Sequence, residues 1–189
     1  MEINQKAFSS DGYLINQRLL RGIPYGIRQS DYNGCGWIAA YNFLRACGRK
    51  KDWNTVRQQL EEGLILGGLL GTHLLQLFWY LRKHGFPLHW AFGKKAAVKK
   101  GCTCRAGLLF YCNGAALHFV AFVPAAMEEQ AQGSKESAQS YYRFFNGRMG
   151  KEQYYDTLTH FLSIPSGLRG GHSLRVYANL FTFCGASDN

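Results

Sequence analysis

The stretch Gln29–Tyr41, written QSDYNGCGWIAAY, decides how the rest of the chain is read. Asn33-Gly34 is a turn signal. After it, Trp37, Ala40, Tyr41 and Leu44 fall at i, i+3, i+4 and i+7, the spacing of one helix face. Cys35 therefore stands at or just before the first turn of a helix. The N–H groups of a first turn lack intrahelical partners, and the positive end of the dipole lies there, so a thiolate is favoured. Gln29, six residues upstream, is placed to reach back and donate a hydrogen bond beside the sulfur. These residues spell a nucleophile and half of an oxyanion site.

Outward from this stretch the chain divides in two. The Cys35 helix runs to about Ala46 and stops at Gly48. A second helix is expected over Asp52–Glu62, capped by Asp52, with Trp53, Val56 and Leu60 on its apolar face. A third is expected over Thr72–His84, capped by Thr72, with Leu74, Leu75, Leu77, Phe78 and Leu81 inward. After Pro87 the pattern becomes strand-like: Leu88–Phe92, Ala106–Cys112, Leu117–Val123, Tyr141–Phe145 and Ser173–Phe183, with Asn113-Gly114 as a hairpin turn. Lys94–Lys100 reads as a short helix or basic loop, 124–140 as a loop or short exposed helix, and Lys151–Leu162 as a helix. The expectation is an α+β chain. One domain spans 1–189, with a helical half of about 1–85 and a mostly antiparallel sheet half of about 86–189, and an active site between them.

Composition narrows the classes. The chain has 189 residues, 47% of them hydrophobic and 15% aromatic, enough for one packed core. The net charge is +10, clustered at Arg45–Lys51, Lys94–Arg105 and Arg143–Lys151. Such a surface favours acidic partners. No nucleic-acid motif accompanies it, so no specific nucleic-acid partner is expected. The run Gly63–Leu81 has the length of a membrane span, but His73, Gln76 and three glycines interrupt it, so it reads as a loop and a buried helix. The six cysteines come without a visible secretory signal, and reduced thiols in a cytoplasmic protein are the expectation.

A cysteine nucleophile needs a base and a group that orients the base. Of six histidines, His118 stands out because it begins the apolar strand HFVAFV after a hairpin turn. His73, His84, His89, His160 and His172 read as structural or solvent-facing, with His84 a favourable cation at a helix C-terminus. Asn146 ends the next strand and lies beside His118 if the two strands pair. A competing use of His118 is a zinc site with Cys102, Cys104 and Cys112, although the C-x-C spacing is tight for structural zinc. Cys47 and Cys184 read as small core residues. No cofactor is called for.

With Gln29, Cys35, His118 and Asn146 in this order, the chain resembles the papain-fold cysteine peptidases, and within them the bacterial branch that includes the leader peptidases of bacteriocin exporters. NGCGWIAAYN is similar to that branch's cysteine signature, LHFVAFV to its histidine strand and YYRFFNG to its third-member strand. The resemblance implies a papain-like fold and a peptide or protein substrate. It implies that Cys35 attacks, His118 pairs with it and protonates the leaving amine, Asn146 orients the imidazole, and Gln29 with the Cys35 N–H binds the oxyanion. Trp37 stands where that branch has a smaller residue, so it is expected to shape access to Cys35. The same site would serve an acyltransferase, and a catalytically idle fold would serve as a binding module for an anionic partner.

Overall fold

The computed structural model describes residues 2–112, 117–125, 141–146, 153–162 and 178–183. It shows a mixed α+β chain. The helical half holds α1 (Ser30–Asn33), α2 (Cys35–Ala46), α3 (Trp53–Glu61) and α4 (Leu74–Lys83), with a small antiparallel pair, β1 (Pro24–Tyr25) and β2 (Arg28–Gln29), ahead of α1. The second half holds β3 (Leu88–Phe92), α5 (Lys94–Gly101), β4 (Ala106–Cys112), β5 (Leu117–Pro124), β6 (Tyr141–Phe145), β7 (Gln153–Thr157), α6 (Leu158–Phe161) and β8 (Ala178–Phe183). Six strands form one sheet in the order β3-β8-β4-β5-β6-β7, every described pairing antiparallel. Asn113-Gly114, most of 124–140, residues 173–177, His172 and Cys184 lie outside the described residues.

Local chemistry explains the helix ends. The Asp52 carboxylate accepts from Thr55 N–H at 2.9 Å and starts α3. Gly48, at φ +78°, ends α2, with its N–H on Arg45 O and the Arg49 N–H on Leu44 O. At α4 the expectation shifts by one residue. His73, not Thr72, is the cap, its Nδ1 accepting from Leu75 N–H at 3.2 Å. Thr72 is instead buried and its hydroxyl bonds the Tyr25 hydroxyl at 2.7 Å. A Cβ on Gly36 would collide with this Thr72 side chain, so glycine lets α2 approach the chain there.

The sheet is covered on both faces, and period-two alternation sorts its residues. Leu108, Phe119, Ala121 and Phe145 pack with α2 and the helical half. Leu109, Val120, Phe122 and Phe144 pack with residues of α5 and α6, including the parallel Phe144–Phe161 stack at 4.0 Å. Two sequence readings fail here. Residues 153–157 are a strand, not the first turns of a helix, because Tyr141–Phe145 offers them a partner in full register; only Leu158–Phe161 is helical, capped by Thr157. The run 63–81 divides into a loop and the helix α4, as its glycines suggest, but not every apolar residue of that helix is inward. It opens with a 3₁₀ turn at Ile65–Gly68, and Leu75 on α4 is half exposed rather than inward. Among the described residues no helix is long and apolar enough to cross a membrane.

The N-terminal segment acts as a strap across both halves. Asn42 of α2 holds Leu14 by both main-chain groups, Leu14 N–H to Oδ1 and Nδ2 to Leu14 O, each at 2.8 Å. Tyr13 stacks on Phe145 of β6 at 3.9 Å, and Arg143 forks onto the Asp11 carboxylate at 2.6 and 3.0 Å.

Candidate active site

Cys35 is the first residue of α2. The turn before it is helical rather than a reverse turn: α1 leads through Gly34, whose αR backbone continues directly into α2. A Cβ on Gly34 would strike the Ser30 carbonyl, so this close succession needs glycine. As the opening residue, Cys35 has an N–H outside the ladder of its own helix. Its side chain is half-buried at the floor of a cleft of about 380 Å³.

His118 lies on β5, which packs against α2. The ring stands beside the Cys35 sulfur, near enough for each to shift the other's protonation. Its Nε2 is 3.0 Å from the main-chain carbonyl of Asn146. A carbonyl only accepts, so Nε2 carries the proton and Nδ1 is the nitrogen available to the thiol. Tyr111, opposite His118 in the ladder, stands edge-on to the ring at 5.6 Å.

The electrostatics of the pair oppose burial. Burial on its own raises the Cys35 thiol and lowers the His118 imidazole. The attraction between the two reverses both effects. With help from the Phe119 and Gly36 N–H groups, Cys35 is held below an ordinary thiol; with help from the Asn146 carbonyl, His118 is raised above an ordinary imidazole. Cys47 is the contrast within the same molecule: burial, with Arg105 and Arg49 only partly opposing it, pushes that thiol up to about 12.

The structure thus brings Cys35, His118 and the main chain of Asn146 together. Gln29 is exposed and precedes α1 without a side-chain capping bond. Asn146 reaches His118 by its main chain, not its amide. Its backbone is left-handed, φ +56°, and its side chain turns the other way, onto Gln17. Gln17 was not singled out by sequence reasoning. It lies far from the motifs, in a segment with no periodicity, and no local signal marks it.

The other candidates separate from the site. Trp37 is fully buried, against Trp53 and with its Nε1 donating to Ser30 Oγ at 3.2 Å, so it is core and does not line the cleft. Cys104 is buried and donates to Gly101 O, Cys102 is exposed, and no group of three or more metal-ligating side chains occurs among the described residues. His84 is not a favourable cation: burial, then Lys51 and Arg49 beside it, lower its ring. His89 is exposed, and His160 pairs with Asp156 at 2.6 Å.

The cleft walls are apolar. Ile65, Leu66 and Leu70 come from the glycine-rich loop, Leu74 and Leu75 from α4, and Phe110, Leu117 and Phe119 from the sheet. Leu66 and Leu70 are 74% and 87% exposed, a cost in water that a ligand would relieve. The loop is nevertheless anchored, by Asn33 Nδ2 on Gly68 O and by Ile27 N–H on Gly67 O at 2.8 Å. No protein-family model and no curated protein matches this chain.

Proposed function

We propose that this chain is a thiol hydrolase that cleaves peptide or isopeptide bonds through a covalent acyl-enzyme, on a papain-like fold. The observation that carries the reading is the Cys35–His118 pair. A thiol that opens a helix is held below its ordinary pKa by a histidine that is itself raised, and that histidine's second nitrogen is fixed on a carbonyl. Partners shifted toward each other's charged form in this way, set in a cleft, mark reactive sites. They also speak against an idle binding module, which has no use for an activated thiolate.

The chemistry follows from the arrangement. The Cys35 thiolate attacks the carbonyl carbon, and the C=O electrons move to oxygen. The Cys35 N–H faces that developing oxyanion, and one such donor contributes about 3 kcal/mol in comparable enzymes. The His118 imidazolium passes its Nδ1 proton to the leaving amine as the C–N bond breaks, leaving a thioester. His118 then takes a proton from water, whose oxygen attacks the thioester carbonyl and frees Cys35. The apolar walls suit a substrate that presents an aliphatic or aromatic side chain next to the scissile bond.

The test is exposure of the protein to a diverse peptide pool, with products read by mass spectrometry. Cleavage that disappears in Cys35→Ala and His118→Ala is expected, with a thioester adduct on Cys35 trapped by acid quenching. Cleavage that survives Cys35→Ala, or none by wild-type protein whose Cys35 is reduced, would overturn it. An added amine separates hydrolysis from acyl transfer by the product it leaves.

A further inference from the structure

We propose that Gln17 is a positioning residue that holds the two sides of the reactive pair in mutual alignment, through an amide-to-amide bridge with Asn146. The inference rests on the thiol-hydrolase reading above and deepens it.

Gln17 sits on the N-terminal strap, half-buried, between the two halves of the molecule. Toward the sheet it closes a ring with Asn146: Asn146 Nδ2 donates to Gln17 Oε1 at 2.8 Å, and the Gln17 main-chain N–H donates to Asn146 Oδ1 at 3.2 Å. Toward the helices its own Nε2 donates to Ser30 O at 3.0 Å and Asp31 O at 3.2 Å. Those two carbonyls belong to α1, the single turn that leads through Gly34 into Cys35. One side chain therefore grips the turn that aims the thiol and the residue whose carbonyl aims the imidazole. Every polar atom of the Gln17 amide is used, and the donor and acceptor roles admit only one orientation of each amide.

The backbone of Asn146 shows why a grip is needed there. A left-handed conformation costs energy for any residue with a Cβ, least for asparagine, and persists where the surroundings over-determine it. It is this conformation that turns the Asn146 carbonyl toward His118 while the side chain faces Gln17. Releasing the side chain frees the carbonyl to drift from Nε2. The imidazolium then loses an acceptor, and the thiolate loses part of its partner.

The experiment is the pH profile of iodoacetamide alkylation at Cys35, which needs no substrate. Gln17→Met keeps the volume and removes the amide. Asn146→Gly keeps the left-handed backbone and the carbonyl and removes only the partner amide. Each variant is expected to move the profile to higher pH, lowering the rate at pH 6 at least fivefold without lowering the rate at pH 10. The double variant is expected to match Gln17→Met, because once the Gln17 amide is gone the Asn146 amide has no side-chain partner left to lose. Asn146→Gly leaves the Gln17 bonds to α1 intact, so it supplies the test on its own if Gln17→Met fails to fold. A wild-type profile in Asn146→Gly, or losses that add in the double variant, would overturn the proposal. An intact wild-type profile without peptide cleavage would sink the hydrolase reading and leave the bridge standing. An ordinary profile in the wild-type protein would take down both.

Discussion

Replacing His118 by alanine should change the reactivity of Cys35 in a way that reverses sign with pH. In the native site, burial opposes the thiolate and His118 outweighs it. Without the imidazole, burial is opposed only by the Phe119 and Gly36 N–H groups. The thiol then lies above the ordinary value of about 8.5 instead of below it. For each unit of that separation the ionised fraction at acid pH falls tenfold, equivalent to about 1.4 kcal/mol. The remaining thiolate becomes roughly threefold more nucleophilic per unit, because reactivity rises with basicity. The net loss at pH 6 is about threefold for each unit that separates the two thiols. At pH above both thiol values the ionised fractions converge and the His118→Ala thiolate should be the faster one. The assay is timed iodoacetamide labelling, with Cys35, Cys47 and Cys102 resolved by peptide mass spectrometry; Cys47 should stay slow throughout. Two superimposable Cys35 profiles, without a crossing, would refute the ion pair.

Three other outcomes follow from the packing. Trp37→Ala should cost about 3–5 kcal/mol in urea unfolding and depress labelling and activity together; an altered substrate range at unchanged stability would show that Trp37 shapes access after all. Asn42→Leu strands the buried N–H and C=O of Leu14 and should cost about 2–4 kcal/mol, measured as a lower urea midpoint. Burial raises the Asp11 carboxyl, but hydrogen bonds from Arg143 and Ser9 and the Arg143 charge leave it lowered overall. A lowered carboxyl stabilises the fold above its unfolded value of about 3.9 and loses that contribution as pH falls through the folded value. Arg143→Met should therefore flatten the fall in stability below about pH 5; an unchanged acid limb in thermal melts would contradict the Asp11–Arg143 link.

Much of the fold is legible in the sequence wherever the signal is local. Asp52 and Gly48 mark helix ends because one side chain or one left-handed glycine satisfies groups within a few residues. The β4 and β6 segments are read correctly from short, aromatic-rich apolar runs bounded by turn residues. Tyr154 to Leu162 misleads because its apolar spacing fits a helix, while the deciding influence is the ladder offered by β6, which no local window contains. Trp37 misleads in the opposite direction, since proximity to Cys35 in sequence says nothing of which side of α2 it occupies. At the site, Cys35, His118 and Asn146 carry local marks: a helix start, a strand start and an Asn-Gly pair. Gln29 carries one too, its six-residue lead on the cysteine, yet the structure leaves it facing solvent. Gln17 carries none. Its importance comes from a bridge between segments distant in sequence, and only the three-dimensional fold reveals which atoms it spans.

The place of β8 gives the molecule a chronology. β3 and β4 are made early, yet they are not neighbours; the gap between them is filled by residues 178–183, which come off the ribosome long afterwards. Until they arrive, β3 has no partner strand and β4 shows a bare edge on the side away from β5. Open edges recruit other chains, and closure by distant segments is slow. The sheet that carries His118 thus finishes from its middle and finishes late. An incomplete chain of this protein exposes its neighbours to open strand edges before its sheet is whole, and cellular quality control has that whole interval in which to act on it.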